Sequence, residues 1–97
     1  MWILRSREAD GPLTLRLVSG VSKTVGRAPV VDFILDAALV SRRHCRITAR
    51  DYRLEVEDLS STNGTFVNDQ RVDKGELRAG DRLRIGRVEL IVEKGNP

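Results

Sequence analysis

Apolar and polar residues alternate along most of this chain. From Tyr52 to Asp58, Tyr52, Leu54 and Val56 alternate with Arg53, Glu55 and Glu57, which gives an extended segment one apolar and one charged face. Leu13, Leu15 and Leu17 repeat the pattern, as do Cys45, Ile47 and Ala49, then Leu83 and Ile85, and finally Val88, Leu90 and Val92. No apolar stripe of helical period extends beyond a couple of turns. The segments are separated by turn formers: Gly11-Pro12, Gly20, Gly26, Pro29, Asn63-Gly64, Gly75, Gly80 and Gly86. Short strands at this spacing predict an all-β fold, a sandwich or a barrel.

A chain of 97 residues has room for one core, so residues 1–97 are read as a single domain with Gly95-Asn96-Pro97 as a frayed end. With 40% apolar and 32% charged residues the composition is that of a folded globular chain. Apolar runs such as Ala37-Ala38-Leu39-Val40 fall far short of the roughly 20 residues that span a bilayer, and no apolar signal region follows Met1. One cysteine, Cys45, and one histidine, His44, leave neither an internal disulfide nor a four-ligand zinc set. These features predict an intracellular protein with no metal and no cofactor. The net charge of +3 permits an anionic partner without requiring one. Its 14 Arg against 3 Lys matter more, because a guanidinium grips oxyanions bidentately. A bias in composition does not locate a site, so each arginine is weighed by its position.

Strands bury one face and solvate the other, which leaves chemistry to the loops. In one loop, Arg27 directly follows Gly26 at a strand end. A second, Val40-Ser41-Arg42-Arg43-His44, gathers a hydroxyl, two guanidiniums and the imidazole. A Ser-His nucleophile is disfavoured here, because no Gly-x-Ser-x-Gly elbow or oxyanion loop accompanies the pair. Cys45 beside His44 fares no better, since adjacent strand residues point to opposite faces. The third loop, Ser60-Ser61-Thr62-Asn63-Gly64-Thr65 with Asn68 beyond it, carries far more hydrogen-bonding capacity than a tight Asn-Gly turn needs. That excess suggests a ligand site. The sequence has no Gly-rich nucleotide-binding fingerprint, so a phosphate would have to be held by other means.

Gly26-Arg27, Ser41-Arg42-Arg43-His44 and Ser61-Thr62-Asn63-Gly64-Thr65-Phe66-Val67-Asn68, in that order, resemble the spaced signature of the forkhead-associated (FHA) domain. Asp32-Phe33-Ile34-Leu35 stands where that family often has an Asp followed by apolar residues. The resemblance covers essentially the whole chain. It implies an antiparallel β-sandwich with ligand-binding loops at one end, and a non-enzymatic module that recognises phosphothreonine in a partner protein downstream of a Ser/Thr kinase. By the same resemblance, Arg27, Ser41 and Thr62 hold the phosphate, Arg42 contacts phosphate or peptide, and Asn63 bonds the peptide backbone. Gly26, His44, Gly64 and Asn68 match positions that shape the loops. Asp69 departs from the Gly that many members have there, which bears on the hairpin that follows. Leu39, before the Ser-x-x-His, and Arg87, in the last interstrand loop, match segments that read the residue three places after the phosphothreonine.

Met1-Trp2-Ile3-Leu4 and the run from Gly20 to Arg27 are similar to the FHA domain of nibrin-type DNA-repair proteins, while Val40 to His44 reads equally like bacterial FHA proteins. A role as a signalling or DNA-damage-response adaptor follows from these likenesses. The physics agrees with phosphate: about −1.5 to −2 charge calls for several charge-assisted donors, which an Arg, two hydroxyls and loop amides supply. The alternative is a nucleic-acid-binding β-barrel, suggested by Arg42, Arg43, Arg46, Arg50 and Arg53. It is weakened by having only Trp2, Phe33, Tyr52 and Phe66 with which to stack bases.

Overall fold

In the computed structural model, which describes residues 1–6 and 13–95, the period-2 segments become strands. They are β1 (Trp2–Ser6), β2 (Thr14–Leu17), β3 (Ser22–Gly26), β4 (Phe33–Ile34), β5 (Cys45–Ala49), β6 (Leu54–Asp58), β7 (Thr65–Val67), β8 (Gln70–Val72), β9 (Lys74–Leu77), β10 (Arg82–Ile85) and β11 (Val88–Lys94). Two sheets form, ordered β2-β1-β11-β10-β7-β8 and β4-β3-β5-β6-β9. Their inward positions interdigitate as the alternation requires: Cys45, Ile47 and Ala49 of β5, Leu54 of β6, and Leu83 and Ile85 of β10 are fully buried. Trp2 joins this core and donates its indole N–H to the Arg50 carbonyl at 2.7 Å. Burial pushes the Cys45 thiol up to about 12, helped by the nearby Asp58 charge.

Four departures from the sequence pattern have local causes. One strand pair, β3 with β4, is parallel rather than antiparallel, because the chain leaves β3, loops through Arg27–Asp32 and returns alongside in the same direction. Tyr52 is not on the inward face of a strand: the Arg50 amide bonds the Arg53 carbonyl, the turn holds Tyr52 outside β6, and its ring is 78% exposed beside the Lys94 ammonium. Asn63-Gly64 does not turn a hairpin, since β6 and β7 lie in different sheets. The two-residue hairpin comes later at Asn68 (φ 48°) and Asp69 (φ 69°), both left-handed as a type I′ turn demands. Asp69 takes the conformation a glycine would and pairs with Arg82 at 2.7 Å. Gly95 is held by a bond from its amide to the Met1 carbonyl, while Gly11-Pro12 and Asn96-Pro97 fall outside the described residues.

Candidate phosphate-binding site

The end of β3, the starts of β5 and β7, and the ends of β6 and β10 meet at one end of the sandwich. The loops that carry Arg27, Ser41 and Thr62 therefore converge there. Backbone bonds join the first two: the Arg27 amide donates to the Ser41 carbonyl at 3.0 Å and the Ala28 amide to the Arg42 carbonyl at 3.1 Å. This approach needs Gly26, because a Cβ there would stand 2.1 Å from the Arg42 oxygen. Asp32 clips the same loop from its other side, accepting from the Thr24 amide at 2.8 Å while its own amide donates to the Thr24 hydroxyl at 3.1 Å. The Thr24 amide and hydroxyl together hold the Asp32 carboxyl below its usual range.

His44 is wholly buried beneath the second loop. Its Nδ1 accepts from the Ser41 amide at 3.0 Å, which an amide permits only if Nδ1 carries no proton. The proton is thus on Nε2, which donates to the Gly64 carbonyl at 2.8 Å. One imidazole fixes the Ser41 loop and the Gly64 loop against each other. The loops also touch directly: the Thr62 amide donates to Ser41 Oγ at 3.0 Å, leaving the Ser41 hydroxyl hydrogen free for a ligand. Asn63 Nδ2 donates to the Leu39 carbonyl at 3.2 Å, so its Oδ1 and second N–H remain available.

Asp58, at the end of β6, is a scaffold residue that the motif reading passed over. Its carboxylate accepts from the Ser61 amide and hydroxyl and from the Thr65 hydroxyl. Ser61 Oγ in turn accepts from the Gly64 amide at 3.0 Å. Burial pushes the Asp58 carboxyl up, but the Ser61 and Thr65 donors outweigh it and hold the group below the usual carboxylate value. An acidic residue two positions before a run of hydroxyls was the available signal. Asn68, by contrast, does not lie with these loops. It sits at the far end of β7, where Asn68 Oδ1 accepts from the Arg82 amide at 2.9 Å and Nδ2 donates to Asp81 at 3.2 Å.

Leu39 has a left-handed backbone (φ 69°), an uncommon conformation for a large aliphatic residue and one that tends to cluster at ligand clamps. Gly86 packs against it so closely that a Cβ would stand 2.8 Å from the Leu39 carbonyl oxygen, which brings Arg87 alongside. Arg27, Arg42, Arg43 and Arg87 are exposed, and among the described residues none forms an ion pair.

Fold and site together define a β-sandwich module that presents an oxyanion-binding surface from its loops. The sequence profile of the FHA domain matches residues 23–86, and the chain belongs to that family. It is 38% identical over 79 residues to an oxoglutarate dehydrogenase inhibitor of Corynebacterium diphtheriae, covering 81% of this chain and 55% of that protein. It is 39% identical over 72 residues to the glycogen accumulation regulator GarA of Mycobacterium tuberculosis, covering 74% of this chain and 44% of that one. The chain thus spans about half the length of these relatives. A solved FhaA FHA domain, complexed with the intracellular domain of Rv3910, matches with a TM-score of 0.84 at 36% identity, covering 96% of this chain and all of that one. A second solved structure, described as an analysis of phosphothreonine-dependent FHA domain interactions, matches with a TM-score of 0.86 at 35% identity over 99% of this chain and 98% of that one.

The nucleic-acid barrel is set aside by the same observations. The fold is a sandwich, Trp2 is buried in the core, the Arg84 guanidinium covers the Phe66 ring at 4.0 Å, and Tyr52 stands at the end opposite the loops.

Proposed function

We propose that the chain binds phosphothreonine in partner proteins, as a regulatory module downstream of a Ser/Thr kinase. The observation that carries this reading is the junction of two loops 21 positions apart, where the Thr62 amide donates to Ser41 Oγ at 3.0 Å, in loops whose exposed arginines have no carboxylate partner among the described residues. In this reading Arg27, Ser41 and Thr62 donate to the phosphate, Arg42 stands ready at its rim, and Asn63 bonds the ligand backbone with the groups Leu39 leaves free. Gly26, His44 and Gly64 hold the geometry. The chain performs no reaction on the phosphate: it binds and releases. The names of the relatives, an inhibitor and a regulator, support a regulatory role rather than one in DNA repair. The relatives' names as regulators, and a kinase-made ligand, support an intracellular site of action.

Titration calorimetry with matched peptides carrying phosphothreonine, phosphoserine, threonine or glutamate tests the reading. Phosphothreonine should bind, threonine should not, and glutamate should fail for want of charge and oxygens. Phosphoserine should be weaker by about 0.8 kcal/mol, the worth of one buried methyl. Equal binding of the threonine and phosphothreonine peptides refutes it.

A further inference from the structure

Gly64 is overhung by side chains from outside the loop motifs. A Cβ built there would stand 2.8 Å from Arg71 Nε and 3.1 Å from the Phe66 ring. Arg71 of β8 lies directly across from Phe66, and Arg84 of β10 lies across from Phe66 on its other side. The Arg84 guanidinium stacks 4.0 Å from the centre of that ring. The three strands therefore carry a row, Arg71-Phe66-Arg84, over one sheet face, and it begins at the loop that bears Thr62 and Asn63. Two residues further along this face, Arg82 is tied to Asp69 at 2.7 Å. Arg71 and Arg84 have no such partner among the described residues, although Glu89 faces Arg84 in register.

Building on the phosphothreonine reading, we propose that Arg71, seated over Gly64 and in register with Phe66, is a second anion-recognition point that favours ligands with an acidic side chain near the phosphothreonine. Gly64 is two residues from Thr62, so their Cα atoms are at most about 7 Å apart. An extended ligand advances about 3.3 Å per residue, which brings a side chain two or three places from the phosphothreonine within reach of Arg71. Packing over Gly64 limits the rotamer freedom Arg71 gives up on binding, and a planar guanidinium suits a carboxylate or a second phosphate. Arg84 adds positive charge to the same row.

The test is calorimetry on the intact chain with phosphothreonine peptides of alanine background and Leu three places after the phosphothreonine. A single Glu is walked through the other flanking positions, and phosphoserine is then placed at the best one. Wild type, Arg71→Gln and Arg71→Lys are compared, with melting curves as the control for folding. On one side of the phosphothreonine, Glu should tighten binding about 2- to 5-fold, as expected for a partly exposed pair. Phosphoserine should do at least as well. Arg71→Gln should bind the neutral phosphopeptide as wild type does while losing the gain from Glu, and Arg71→Lys should restore part of it. If no position shows a gain, or the gain persists in Arg71→Gln, the inference fails and the phosphothreonine reading stands. If the neutral phosphopeptide and every Glu-bearing one fail to bind, both fall.

Discussion

The loop end and the outer face of the five-stranded sheet are equally rich in arginine, yet they handle its charge in opposite ways. On the sheet face Arg46 meets Glu57 at 3.1 Å, Arg50 meets Glu55 at 2.7 Å, and Arg53 bridges Glu55 and Glu76 at 3.5 Å each. That face also holds a hollow of about 410 Å³ among Arg46, Thr48, Glu55, Glu57, Lys74 and Glu76, where cations already stand among carboxylates. At the loop end the arginines have no ion-pair partners among the described residues, while Asp58 accepts from Ser61 and Thr65 and Asp32 from Thr24. Size and charge content therefore point to the sheet face, but unanswered charge points to the loops. Pairing is the better guide to function here.

Substitutions can sharpen that contrast. The largest effect should come from His44→Ala, which leaves the Ser41 amide and Gly64 carbonyl without their partner and opens a fully buried space. A loss of about 2–4 kcal/mol in thermal or urea unfolding is expected, with weaker phosphopeptide binding. Parent-like melting with all binding lost would instead mean that His44 meets the ligand directly.

Arg27→Ala should weaken phosphopeptide binding by about 1.5–3 kcal/mol, roughly 10- to 150-fold, without changing the melting temperature. Its counterpart on the sheet face, Arg50→Ala, should leave binding intact and cost about 0.2–1 kcal/mol of stability. Equal effects of the two variants on affinity would erase the distinction between the regions.

Acid separates the regions again. The Asp58, Asp32 and Glu55 carboxyls lie below their ordinary values when folded, so their contribution is complete above about pH 5 and is lost as pH falls through the depressed values. Most of it should come from Asp58, since the other two are screened by solvent. Binding should weaken earlier, as the phosphate takes up its second proton near about pH 6. Melting and affinity followed from pH 7.5 to 3 should thus give two separate transitions. A single coincident one would mean that loss of binding is merely unfolding.

The smallest effect concerns Leu39 and Arg87, which Gly86 brings together. Burying an aliphatic side chain three places after the phosphothreonine is favourable by at most about 1.5–3 kcal/mol, against about 0.2–1 kcal/mol for an exposed pair with Arg87. Peptides with Leu or Ile there should bind more tightly than those with Asp. The reverse order at physiological salt would make Arg87 the reader.

Period-2 alternation made most of the sandwich legible, because β5, β10 and β11 each bury one face and a strand can do so only by alternating. The alternation misplaced Tyr52 because it does not register where a turn ends and the strand begins. The loop motifs singled out Arg27, Ser41 and Thr62, and the fold joins the three loops that carry them. Asp58 looked like one more polar position on a strand, and its role depends on donors that only the folded loop brings to it. Arg71 was invisible for a related reason: its place over Gly64 depends on the β7–β8 register, which a type I′ turn at Asn68-Asp69 sets. Asn68 shows the converse, a motif residue whose work lies at the other end of its strand.

The depth of Cys45 gives the molecule a built-in clock for its own opening. Its thiol is wholly shielded, and at neutral pH almost none of it is the reactive thiolate. An added maleimide can therefore reach it only when the structure around it opens, and with a single cysteine in the chain every thiol-labelling event reports such an excursion. When reclosing outruns labelling, the labelling rate measures how often the sandwich is open; when it does not, the rate measures how fast it opens. A ligand that fastens the adjoining loops should slow this clock without touching the sulfur.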